Sequence, residues 1–372
     1  MKKKRITMNI LSIMAMAALF SCSSTSDSIE KENSGGNSTT TVDSTSYKPT
    51  VKFATIPSYD GYALIWHDEF DNDGLPSKEW SYEQGFVRNN ELQWYQDKNA
   101  TVADGCLVIE GRQERVKNPD YVEGSGDWKL QRKYAEYTSS SLTTQNSFAF
   151  HFGRIEVRAK IPTATGSWPA IWLLGDKWEW PNNGEIDILE YYIKNGRPSI
   201  LANACWGDKG LWQAVWNESV TPFSHFTTKD KDWSKKYHVW KMDWDENYMS
   251  IYVDDELLNK IDLKTTFNKG YDDNFENPFV SNEMKHYILL NLAIGENGGT
   301  PDISAFPLKY QVDYVRVYQK KYLKHRTKPL LIYEMQSIQK DINCSVFAIR
   351  RNSKPLSKTL FTLHENDINT CS

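Results

Sequence analysis

From about Ile56 to Gln319 the chain consists of short alternating apolar and polar runs, each cut off by Gly, Asn, Asp or Pro. This pattern constrains the fold more than any other feature. Gly153 to Lys160 and Met249 to Asp254 alternate with period two, which places successive side chains on opposite faces of a strand. Cys106 to Glu110 and Tyr314 to Tyr318 read the same way, whereas Tyr287 to Leu292 is more continuously apolar and fits a central strand. No long segment carries a 3.6-residue period, and no alternation of strands with helices is present. Many strands over roughly 260 residues therefore predict an all-β fold, a β-sandwich of the jelly-roll type. A seven-bladed propeller is the competing architecture, but no repeat recurs at blade spacing.

One strand segment is chemically unusual: Gly184-Glu185-Ile186-Asp187-Ile188-Leu189-Glu190-Tyr191-Tyr192. In a regular strand Glu185 and Asp187 share a face, and Glu190, five positions from Glu185, points the other way. A β-bulge near Ile188-Leu189 would absorb one residue and return Glu190 to the face of the other two. Three carboxylates on one face are costly to hold together, so the arrangement argues for chemistry. Hydrolysis of a glycosidic bond supplies a reason, because it needs two carboxyl groups: about 5–5.5 Å apart for retention, about 6.5–9.5 Å for inversion. Four effective strand steps span about 13 Å, and two Glu side chains leaning together close most of that gap. Asp187 can share a proton with Glu185, and coupling of this kind separates the two glutamates into a nucleophile and an acid. Upstream, Trp168, Ala170 and Trp172 share a face by alternation, so both tryptophans flank the acids if the two strands are neighbours.

The chain has 372 residues, 14 Trp, 20 Tyr and a formal net charge of -4. That length allows one large domain or two modest ones. The mild acidity gives no case for a nucleic-acid partner. Trp178, Trp180, Trp206, Trp212 and Trp216 lie in polar, Gly-rich surroundings, which suits a groove where indole faces stack on sugar rings; filling the core is the other reading of each. The five cysteines are too few and too scattered for a disulfide scaffold, and none has zinc-ligand spacing with His. Cys106 is expected to be buried.

The first residues, Met-Lys-Lys-Lys-Arg, precede an apolar stretch from Ile10 to Phe20 and then Ser21-Cys22. This is an export signal, too short for a comfortable membrane span. Leu19-Phe20-Ser21-Cys22 resembles a lipobox. Residues 1–22 are thus expected to be a lipoprotein-type signal peptide, with Cys22 as the lipid-anchored residue. Outer membrane or cell surface is the expected location, and periplasmic or secreted the alternative. Residues 23–45 are almost devoid of apolar side chains and read as a flexible tether; residues 46–320 form the folded domain. Residues 321–372 carry nine Lys/Arg against four Asp/Glu and read as a poorly ordered basic extension.

The motif Glu185-Ile186-Asp187-Ile188-Leu189-Glu190 resembles the Glu-x-Asp-x-x-Glu pattern of glycoside hydrolase family 16, in its bacterial laminarinase-like branch. Leu64 to Phe70, Arg88 to Tyr95, Phe152 to Arg158 and Val312 to Tyr318 also match, so the resemblance spans about residues 60–319. It implies a concanavalin A-like jelly roll with a concave groove and retaining, endo-acting hydrolysis without a catalytic cofactor. Glu185 would be the nucleophile, Glu190 the acid/base and Asp187 the assistant. Arg88, Asn90, Trp168 and Trp172 would line the donor side. Asn203 would stand where laminarinases commonly carry His, and Trp206 would form an acceptor-side platform. Glu69, the Gly105 backbone and Asp313 resemble a structural calcium site of some members; a hydrogen-bonded acid pair is the other reading. The implied partner is a polysaccharide and the implied state a monomer. Laminarin-like β-1,3-glucan is the first substrate. Mixed-linkage glucan and marine galactans (agarose, porphyran, carrageenan) are alternatives, the charged ones favouring contacts from Arg88, Lys177 and Lys209. A non-catalytic lectin on the same fold is the remaining reading.

Overall fold

The computed structural model describes residues 56–209, 212–269 and 276–321. The signal peptide, the tether with Cys22 and the basic extension from residue 322 lie outside the described residues.

Two eight-stranded sheets stack face to face. In the first, the order is Glu256–Asp262, Tyr248–Val253, His238–Trp244, Gly153–Lys160, Leu308–Lys320, Cys106–Gly111 and Ala100–Ala103, with Tyr62–Asp68 also paired to Leu308–Lys320. In the second, the order is Ala214–Pro222, Arg197–Gly207, Glu185–Lys194, Ser167–Gly175, His286–Ile294, Ser141–Thr143 and Ser81–Tyr82, with Ala149–Phe150 also on His286–Ile294. The chain crosses repeatedly between sheets, and neighbours within each sheet run antiparallel, as a jelly roll requires. Among the described residues no helix is long and apolar enough to cross a membrane.

The alternation in the sequence is the alternation of the sandwich. Along His238–Trp244 the residues His238, Trp240, Met242 and Trp244 point inward and those between face out. Ile155, Val157 and Ala159 do the same from Gly153–Lys160 and meet Val315 and Val317 of the last strand in one core. Tyr287 to Leu292 is buried throughout, as expected of a strand with neighbours on both edges and cover on both faces. Cys106 is buried too. Residues that look away from this core on the second sheet line the groove.

Candidate active site

The carboxylate strand bulges where its spacing demanded. Against Ser167–Gly175, Ile171 pairs with Leu189 and Trp172 with Asp187, so two steps on one strand match one step on the other. Against Arg197–Gly207, Asp187 pairs with Asn203 and Glu190 with Leu201, again with one residue extra. Ile186, Ile188 and Leu189 all turn into the core, and Glu185, Asp187 and Glu190 all face a groove of about 970 Å³. Burial of Ile188 and Leu189, each worth roughly 1.5–3 kcal/mol, anchors the bulge. The strand begins from Gly184, whose φ of +74° and whose neighbours Pro278 and Phe279, 2.8 Å from where a Cβ would stand, leave room for glycine alone.

Each outer carboxyl has its own indole. Trp180 Nε1 donates to Glu185 Oε2 at 2.7 Å, and Trp168 Nε1 donates to Glu190 Oε1 at 2.9 Å. Asn203 Nδ2 points at Asp187 Oδ2 and Glu190 Oε2, at 3.5 and 3.4 Å. The Ser219 backbone N–H donates to Asn203 Oδ1 at 3.2 Å, which turns the amide so that its donor side meets the acids. Burial raises all three pKa values, but unequally. For Glu185 the rise is opposed by the Trp180 N–H, the Arg88 guanidinium and a hydrogen bond with Asp187. Asp187 is driven well above the carboxylate range by burial and then by the charges of Glu190 and Glu185. Glu190 is pushed up to about 8 by burial first and the charge of Glu185 second, against the Trp168 N–H and Lys194. The group best supported as an anion is thus Glu185, with protons held at Asp187 and Glu190.

Residues 89–288 match the model of glycosyl hydrolases family 16. The chain belongs to glycoside hydrolase family 16. It is 32% identical over 285 residues to a glucan endo-1,3-beta-glucosidase A1 of Niallia circulans, a match covering 71% of this chain and 39% of that one. It is 31% identical over 275 residues to a beta-glucanase of Rhodothermus marinus, covering 69% and 85%. The chain therefore spans well under half of the first relative and most of the second. A solved structure described among endo-acting O-glycanases with which prominent members of the human gut microbiota initiate mucin breakdown superposes with a TM-score of 0.61, at 36% identity, covering 70% of this chain and 92% of that one. The protein is an enzyme of this family, a glycoside hydrolase.

Within this family 16 hydrolase the other expected site residues fare differently. Arg88, Trp168, Trp172 and Asn203 line the groove. Trp172 has one face covered by the Arg88 guanidinium, 5.0 Å from its ring centre, and its indole N–H tied to Asn291 Oδ1 at 2.7 Å, and with 7% of it exposed it offers a sugar little surface. Asn90 sits outside the lining and donates to a residue of it, Glu296, at 3.3 Å. Trp206 corrects the expectation. The pairing of Arg197–Gly207 with Ala214–Pro222 is uninterrupted, so Asn203 and Trp206, three apart, take opposite faces. Trp206 packs into the core on Phe279 instead of forming a platform. Besides Trp168 and Trp172, the groove is lined by Trp180, Trp212 and Trp216, with Trp180 and Trp212 stacked at 6.3 Å; Trp178 is exposed outside the lining. Glu218 and Asn291 also line it and carried no signal in the sequence beyond their residue type.

The expected calcium residues lie together on the opposite sheet. Tyr62–Asp68 pairs with Leu308–Lys320 as far as Val315, and Cys106–Gly111 as far as Val312, so Glu69, Gly105 and Asp313 converge between those points. Both acids face guanidinium groups: Arg316 donates twice to Glu69, at 2.9 and 2.7 Å, and Arg158 pairs with Asp313. Among the described residues no group of three or more His, Cys, Asp or Glu side chains could hold a metal. Oxygen atoms of the kind calcium takes are present, with both of Glu69's engaged by Arg316 and one of Asp313's by Arg158.

Proposed function

We propose that this hydrolase cleaves β-1,3-linked, laminarin-like glucan within the chain and with retention, by double displacement. The observation carrying the reading is the unequal treatment of the two glutamates that the bulge brings to one face. Glu190, pushed up to about 8, holds a proton at neutral pH and gives it to the glycosidic oxygen as that bond breaks. Glu185, supported as an anion by Trp180 and Arg88, attacks the anomeric carbon and forms the glycosyl-enzyme. Asp187 donates to Glu185 before attack and releases it during bond formation. Glu190, now a carboxylate, takes a proton from water, which attacks the same carbon and regenerates Glu185. The relatives named for endo-1,3-β-glucan cleavage support the substrate.

The test is a panel of laminarin, mixed-linkage glucan and lichenan, read by new reducing ends, with the anomer of the first product followed by NMR. Hydrolysis with the β-anomer first, and a loss on the order of 10³-fold or more in Glu185→Gln, is expected. Intact glucans in all three cases would sink the glucanase reading. A second reading has its own support. The solved structure linked to mucin breakdown shares 36% identity, and the strand beside the catalytic one, Arg197–Gly207, carries Asn203 and no His. Release of oligosaccharides from mucin O-glycans, with laminarin left intact, would decide for it.

The sequence supports one further proposal, attachment to a membrane through a lipid on Cys22. Incorporation of a labelled fatty acid, lost in Cys22→Ala, is the expected result; equal labelling of both would refute it.

A further inference from the structure

We propose that the groove accepts uncharged glycans and discriminates against sulfated, sialylated or uronic-acid-bearing chains. This deepens the hydrolase reading above by naming the substrate class of the same site, and it rests on that reading.

Six carboxyl groups line the groove: Glu91, Glu185, Asp187, Glu190, Glu218 and Glu296. Among the described residues two cations line it, Arg88 and Lys194; the Arg88 Nη1 has no hydrogen-bond partner but is buried out of reach of a ligand in the groove, and Lys194 is engaged by an acid. Arg88 is paired with Glu83 and lies over Trp172. Lys194 is paired with Glu218, itself one of the lining acids. Arg132, beside the rim, directs its donors to the Glu91 carbonyl and to Asn90, at 2.6 to 3.1 Å, and stacks 4.2 Å from the Phe86 ring centre. Lys177 and Lys209, expected to serve a charged galactan, are not part of the lining. Protonation of Asp187 and Glu190 still leaves an excess of negative charge.

What the groove offers instead is apolar and neutral. Trp212 and Trp216 are 60% and 44% exposed, and with Trp180 they present indole faces suited to the C–H face of a neutral sugar. A recognition site for sulfate would show guanidinium or backbone N–H groups free to converge on it.

The experiment compares matched polymers: laminarin against carboxymethyl-laminarin, and mucin O-glycans before and after removal of sulfate and sialic acid. A unit anion about 8 Å from one groove carboxylate, screened by salt, lowers kcat/KM by several-fold, and the excess of acids brings the expected penalty to on the order of tenfold. The neutral member of each pair is expected to be the better substrate by that factor, with the gap narrowing at high salt and in the double variant Glu218→Gln, Glu296→Gln. The inactive Glu185→Gln is run in parallel in gels cast with each polymer, where retardation reports binding alone. An anionic polymer cleaved or bound as well as its neutral partner overturns the proposal. If no glucan or O-glycan is cleaved but the gels still favour the neutral polymers, the substrate assignment fails and the charge argument stands.

Discussion

Replacing Trp168 by Phe isolates one hydrogen bond in the proton chemistry. Trp168 Nε1 donates to Glu190 Oε1 at 2.9 Å and holds down a pKa that burial and Glu185 push up to about 8. A hydrogen bond to a charged group contributes roughly 1.5–3 kcal/mol, and a pKa unit corresponds to about 1.4 kcal/mol, so its loss raises Glu190 by about 1–2 units. Phe keeps a ring beside Tyr192, which Trp168 meets edge-on at 5.3 Å. The alkaline limb of kcat/KM reports the acid of the free enzyme, which must be protonated to act. That limb is expected to move to higher pH by the same 1–2 units in laminarin hydrolysis, measured by reducing ends across the alkaline range. Trp172→Phe is the control, because its indole N–H bonds Asn291 and no acid; its limb stays in place. An alkaline limb that is unmoved in Trp168→Phe, or moves toward acid, refutes the assignment of Glu190 as the acid.

Three further outcomes are expected. His286 is fully buried between Phe279 and Trp244, with its pKa lowered from 6.5 to about 3 by burial first and His151 second. Between those values the unfolded chain binds the proton that the folded chain refuses, so stability falls as pH drops from 6.5 toward 3. His286→Phe should flatten the acid side of a plot of Tm against pH, and an unchanged slope would count against it. Deleting Ile188 makes the strand regular, with Glu185, Asp187 and Glu190 at alternate positions that all still face the groove, so turnover should survive, whereas one alanine inserted after Leu189 turns Glu190 toward the core and should abolish it; activity lost in the deletion and kept in the insertion would refute the parity argument. Calcium held between Glu69, Gly105 and Asp313 is expected to raise Tm and a chelator to lower it, with the difference gone in Glu69→Gln; a Tm indifferent to both would refute a site there.

The sheet strands were readable because period-two alternation is a local consequence of which face meets the core. Gly153–Lys160 begins and ends where the pattern does, and the continuous run at Tyr287 to Leu292 lies in the interior of its sheet. The bulge was readable for a rarer reason. Polar residues usually say little about register, but Glu185, Asp187 and Glu190 have a shared purpose that a flat strand cannot serve, and the mismatch of parity locates the extra residue. Partners that depend on long-range pairing were not readable. Nothing in the local sequence announces that Trp180 reaches Glu185, or that Ser219 orients Asn203 from the next strand.

Trp206 shows where the same reasoning was available and would have sufficed. Parity is reset only at a bulge, and each strand must be counted from its own fixed point. The bulge in Glu185–Lys194 fixes the acids, and the pairing of Asp187 with Asn203 carries the groove face onto the neighbouring strand. From Asn203 the face continues through Cys205 and, across the next pairing, to Trp216. Trp206 falls on the other parity and belongs to the core. Counting from Asn203 puts Trp206 on the core face, and once the neighbouring strand is paired the same parity brings Trp216 to the groove.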